Sequence, residues 1–106
     1  MPSSNLFKPI KVGSQTLTHR VVLAPTTRFR ASKKAHVPLA HLVGKYYAQR
    51  STCPGTLLIT EATVISLRAG GCDDVPGIWN QSQIDAWKEV RVTYVFSVSP
   101  FGLHIL

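Results

Sequence analysis

Sixty residues pass before this chain offers a carboxylate. Glu61 is the first acid of 106 residues, and the stretch before it carries nine of the twelve lysines and arginines. Five acids in all leave a net charge of +7. So one-sided a balance favours an anionic partner: nucleic acid, a membrane surface or a phosphorylated cofactor. Cysteine is scarce too. Cys53 and Cys72 have neither metal-ligand spacing nor the density of a disulfide framework, and no signal-like N-terminus precedes them. They read as free thiols and small fillers in a reducing compartment, so a cytoplasmic location is expected. No apolar run approaches the ~20 residues of a membrane span; residues 92–106 are too few and contain Pro100. There is no internal repeat and no low-complexity linker. What is left is one small domain, 44% hydrophobic, with enough apolar material for a core.

The remaining pattern is organised. Phe7, Ile10, Val12 and Leu17 alternate weakly about Gly13-Ser14, which predicts a short hairpin. VVLAP (residues 21–25) is a continuous apolar run closed by proline, the pattern of a strand buried on both faces. Residues 37–51 are predicted helical, with Leu39, Leu42, Val43, Tyr46 and Tyr47 on one stripe and Pro38 in the first turn. Cys53-Pro54-Gly55 ends that helix, and TLLITEATVI (56–65) supplies a second buried strand. A polar loop with the Gly70-Gly71 pair follows. Asn80 and Gln83 have the reciprocal spacing of an N-cap for a second helix, whose apolar stripe is Ile84, Trp87 and Val90. VTYVFSV (92–98) alternates enough to predict a third strand. Strands separated by helices imply a parallel α/β sheet with right-handed crossovers.

In such sheets ligands bind beyond the C-terminal strand ends. Pro25, Thr26, Thr27, Arg28 and Arg30 follow one predicted strand; Glu61, Ala62 and Thr63 lie at or past the end of the next. His36 and His41 lack partner spacing, so no metal site is assigned. Trp79 and Trp87 read as packing residues. From the residues alone, a threonine after Pro25 also suits plain turn chemistry. Arg28 reads equally as a solvated cation or as a partner for Glu61.

The succession HRVVLAPTTRFRA, KYYAQRST, PGTLLITEATVIS, AGG and PGIW resembles the N-terminal quarter of the Old Yellow Enzyme family of flavin-dependent ene reductases, in particular its fungal and plant branch with the 12-oxophytodienoate reductases. The resemblance runs from about Asn5 to Val90, in order and nearly without gaps. It implies an incomplete (β/α)8 TIM barrel: a hairpin followed by strand, helix, strand, helix and strand. It also implies non-covalent FMN, reduction by NADPH or NADH, and a small enone-type substrate whose activated alkene accepts the hydride. Pro25, Thr26 and Thr27 match the family's loop along the flavin ring, and the Thr27 hydroxyl would hydrogen-bond the carbonyl O4. Ala62 matches a small residue whose backbone N–H faces the pyrimidine side. Gly70-Gly71 matches the edge of the substrate mouth, with Cys72 where a tyrosine is often found.

After Val90 the resemblance stops. The family's third strand with its flavin-contacting glutamine, its substrate-holding histidine pair and its proton-donating tyrosine have no counterpart here, so no catalytic residue is assigned. The expectation is residues 1–90 as the first part of a flavin barrel, and 91–106 as a divergent tail from truncation or mis-splicing. Such a chain alone is expected to be inactive, with an interaction module as the alternative. A non-specific anion-binding module ranks lowest, because the cations are scattered and no nucleic-acid signature is present. Neither a membrane nor a specific nucleic-acid partner is expected.

Overall fold

The computed structural model describes residues 4–97, with side chains described as far as Val92. After a 3₁₀ turn at Asn5–Phe7, β1 (Ile10–Val12) and β2 (Gln15–Leu17) pair antiparallel, Ile10 opposite Leu17 and Val12 opposite Gln15. Gly13 makes this two-residue hairpin cheap. Its φ of 61° lies where a side chain is disfavoured.

Next come β3 (Val22–Leu23), α1 (Ala40–Arg50), β4 (Leu57–Leu58) and α2 (Gln81–Ser97). β3 and β4 pair parallel, Val22 opposite Leu57 and Leu23 opposite Leu58, with α1 as the crossover. The parallel βαβ expectation therefore holds, but in shorter strands than the apolar runs suggest. The two helices pack against each other, and the core is Val43 and Tyr47 of α1, Leu58 of β4 and Val90 of α2. Leu23, Ala40, Tyr46, Ala48 and Trp87 close around it. The two sheet faces are covered unequally: Leu58 is 1% exposed, whereas Val22 is 38% exposed. The expectation of a strand buried on both faces fails for this reason. Both helices lie against the Leu23 and Leu58 side, and Val22 on the other side stays exposed.

The helix boundaries also shift. α1 begins at Ala40 because residues 30–39 fold back on themselves instead. Leu39 N–H donates to Arg30 O (2.9 Å), Ser32 N–H to Val37 O (2.9 Å), and Pro38 bridges Ala31. Leu39 and Leu42 of the predicted stripe stay about 40% exposed, at 40% and 42%. The start of α2 is as expected, with a reciprocal cap: Gln83 N–H donates to Asn80 Oδ1 (3.0 Å) and Asn80 N–H to Gln83 Oε1 (3.3 Å). Its buried face is Gln83, Ala86 and Val90, with Trp87 half-buried and Ile84 exposed at the margin.

The predicted third strand at residues 92–98 is overturned. α2 runs unbroken through Ser97, so residues 92–97 are helical, and residue 98 lies outside the described residues. A strand there would need a sheet neighbour to pair its backbone groups, whereas helical continuation pairs each within the segment. Alternation over so few apolar residues cannot separate the two outcomes. The observed order is thus hairpin, strand, helix, strand, helix.

Candidate functional site

The site is built where β3 and β4 end. Being parallel, both release their chains at the same edge, and Ile59 N–H extends the ladder to Leu23 O at 3.1 Å. Past β3 the chain turns at once. Thr26 N–H donates to Ala24 O (2.8 Å), closing a tight turn centred on Pro25, whose ring presets the backbone for it. Pro25 and Thr26 are exposed and Thr27 is half-buried. The Thr27 hydroxyl makes no hydrogen bond among the described residues. Turn chemistry therefore accounts for Pro25 and the Thr26 backbone, and leaves the Thr27 hydroxyl unused.

One bond joins the two exits. Arg28 N–H donates to Glu61 Oε2 at 2.9 Å. Thr27 directly precedes the donor and Ala62 directly follows the acceptor, so the two predicted residues flank the same link. Glu61 is only 2% exposed. Its own N–H donates to the Tyr47 hydroxyl of α1 (3.1 Å), while Oε1 has no partner among the described residues. Burial raises the Glu61 carboxyl above its ordinary 4.5, against the opposing pull of the Arg28 N–H and charge. Tyr47 is pushed up to about 12, chiefly by burial.

Arg28 does not form the ion pair with Glu61 that its type suggests. Its guanidinium lies over the Tyr46 ring, 4.3 Å from the centroid, and Arg50 stacks on the same ring at 3.7 Å. Phe29, the next residue, has φ 54°, an uncommon conformation for a bulky side chain. Arg30 Nη1 donates to both Arg28 O (3.3 Å) and Phe29 O (3.2 Å). The loop bearing Thr27 is thus held by backbone donor and backbone acceptors alike.

Besides a small concavity of about 150 Å³ lined by Arg28, Arg30, Leu42, Val43 and Tyr46, there are two larger ones. Lys33, Lys34, His36, Leu67, Gly70, Gly71, Cys72 and Asp73 line a groove of about 320 Å³. A more apolar one of about 360 Å³ runs between Thr60, Thr63, Ile78 and α2 residues Ile84, Trp87, Lys88 and Arg91. None of the three includes Pro25, Thr26, Thr27 or Ala62, which form an open edge. Cys53 and Cys72 are free and exposed, and no group of metal-ligating side chains occurs among the described residues. No described helix is long and apolar enough to cross a membrane.

Sequence reasoning passed over a second cluster. His36, 6% exposed, bonds Val75 O through Nδ1 (2.7 Å) and rests against Trp79, ring centroids 5.6 Å apart. Gly77 N–H donates to His36 O (2.8 Å), and Trp87 Nε1–H donates to Gly77 O (3.1 Å). Gln83 Nε2 reaches Ala35 O at 2.9 Å. A lone histidine without partner spacing gave no signal of this packing role.

The NADH:flavin oxidoreductase / NADH oxidase family matches residues 5–93. The chain belongs to that family, the Old Yellow Enzymes. It is 58% identical over 87 residues to a chanoclavine-I aldehyde reductase of Penicillium roqueforti, covering 82% of this chain and 23% of that one. It is 59% identical over 90 residues to a protein of Claviceps fusiformis named "Probable inactive dehydrogenase easA", covering 85% and 23%. The old yellow enzyme of Trypanosoma cruzi superposes with a TM-score of 0.82 at 32% identity, over 95% of this chain and 26% of that structure. The chain thus spans about a quarter of the length of the relatives it matches.

Proposed function

We propose that this chain forms the first part of a (β/α)8 flavin barrel, residues 1–90 as expected from sequence, and that Pro25, Thr26, Thr27 and Ala62 make one edge of an FMN site. The observation that carries this reading is the Arg28–Glu61 bond, which links the two parallel strand exits between Thr27 and Ala62. The residues fit the group. An uncommitted hydroxyl at Thr27 can donate to a ring carbonyl, and the small, exposed Ala62 leaves its backbone approachable by a flat ring.

When bound, FMN supplies two-electron chemistry, taking hydride from NAD(P)H for delivery to the β-carbon of an α,β-unsaturated carbonyl, with a proton completing the alkene reduction. Within that chemistry Thr27 donates a hydrogen bond where negative charge develops, which favours the reduced state. Pro25 and Thr26 set the turn that aims it. The substrate class rests on the family and on relatives named as aldehyde and enoate reductases.

A second reading, a non-catalytic member of the family, is favoured by the name of the Claviceps fusiformis relative. Titrating FMN into the chain and its Thr27→Ala variant, followed by the visible flavin band, tests the site itself. A spectral shift that Thr27→Ala abolishes or weakens supports it; identical responses of both chains remove Thr27 from the site.

A further inference from the structure

Glu61 is tied into the fold through both its side chain and its backbone. It joins three pieces of the fold. Its side chain takes the Arg28 N–H from the loop after β3, its backbone N–H reaches the Tyr47 hydroxyl on α1, and its own position fixes Ala62. Carboxylates almost never go fully buried without partners for both oxygens, yet Oε1 has none among the described residues. The nearest cation does not relieve this, since the Arg28 side chain is occupied on Tyr46. A full ion pair at so buried a position would return little after the desolvation of both charges. Instead the carboxylate is spent on a backbone N–H, which fixes where the main chain goes.

The loop it holds is otherwise costly to maintain. Phe29 sits in the left-handed region one residue beyond the bond, and such conformations persist where the surroundings over-determine them. Glu61 restrains the loop at the Arg28 N–H, and Arg30 restrains it at the Arg28 and Phe29 carbonyls. Thr27 lies immediately before the restrained unit. We infer that Glu61 is a positioning residue for the flavin edge, clamping the Thr27 loop against the Ala62 strand end so that both present to one ring. This inference rests on the flavin reading above. Glu61 itself touches no reacting atom; it acts through Arg28 and Ala62.

Amide measurements on the isotopically labelled chain, with Glu61→Ala and Glu61→Gln variants, decide the matter. Glutamine keeps an acceptor for Arg28 N–H but carries no charge; alanine keeps neither. Glu61→Ala is expected to speed exchange at the Arg28 amide about tenfold or more, as loss of a bond to a charged acceptor allows. Amides of Val43, Leu58 and Val90 should keep their protection. Glu61→Gln should restore the Arg28 protection. It should also abolish the movement of the Arg28 amide shift with pH, which in the native chain follows the carboxyl facing Arg28 and Tyr47. With FMN at millimolar concentration, the native and Gln chains should shift Thr27 and Ala62 amides together, and the Ala chain should lose that joint response. Arg28 exchange unchanged in Glu61→Ala, or core amides accelerated equally, would overturn the positioning role. FMN shifts that persist in Glu61→Ala would overturn it while leaving the flavin reading intact. Absence of FMN shifts at both residues in the native chain would overturn the flavin reading, and the proposed role with it, even if the Arg28 bond is confirmed.

Discussion

The Tyr47 hydroxyl accepts the Glu61 N–H at 3.1 Å, tying the buried face of α1 to the end of β4. Both residues are 2% exposed, so neither group can fall back on water. Tyr47→Phe keeps the ring and leaves a buried N–H unpaired, which costs about 1–3 kcal/mol. Urea unfolding should register that loss. The phenol also predicts a pH dependence. Its folded pKa, about 12, lies above the ordinary 10.0, so between those values the unfolded chain ionises first. Stability is therefore fully present below about pH 10 and falls as pH rises toward 12. Tyr47→Phe should flatten that decline, and an equally steep decline in both chains would show that Tyr47 is not its source.

Gly77 is predicted to tolerate no side chain. A Cβ there would overlap the Trp79 ring and come within 2.7 Å of Gln83 Nε2, which donates to Ala35 O. Gly77→Ala should cost about 1–3 kcal/mol by overpacking, read as a fall in Tm. A variant as stable as the parent would mean that Trp79 is free to move aside.

Phe29→Gly should relieve a strained backbone. The phenylalanine is 54% exposed, so little packing is lost, and its φ of 54° suits glycine. Relief of about 1–2 kcal/mol is offset in part by roughly 0.5–1 kcal/mol of added chain entropy. The expected outcome in urea is a neutral or slightly stabilised protein with faster exchange around Arg28. A loss above about 1 kcal/mol would show that the Phe29 ring packs against something the isolated chain needs.

The 106-residue chain by itself is predicted not to turn over NAD(P)H. Thr27 and Ala62 supply one open edge, and no described groove includes them. Hydride transfer needs reacting atoms held about 3–3.5 Å apart, which one edge cannot enforce. Following NADPH absorbance with excess FMN and an activated enone, against a no-protein control, checks this. Sustained protein-dependent oxidation would reveal a site beyond the edge described above.

Much of the fold was legible because its signals are local. Gly13 marks the hairpin, Asn80 and Gln83 mark the helix cap, and the apolar runs around Leu23 and Leu58 mark the paired strands. The third strand was not legible, since residues 92–97 carry β-branched and aromatic types that a helix also accepts when no strand neighbour is present. Of the proposed flavin edge, Thr27 and Ala62 were suggested by their position after parallel strands and by the family resemblance. The Tyr47, Glu61 and Arg28 linkage spans up to 33 residues of sequence, so no local pattern announces it. Arg28 could be suspected as a partner of Glu61, but not that its backbone would serve while its side chain stacked on Tyr46.

The most direct test of the central claim is a search for nuclear Overhauser contacts between the isoalloxazine ring of added FMN and the labelled chain. The flavin-edge account predicts contacts from the ring to both the Thr27 and the Ala62 methyl groups, weakened together in Glu61→Ala. Contacts confined to the groove of Lys33, Lys34, Gly70 and Gly71, with none at Thr27 or Ala62, would contradict it.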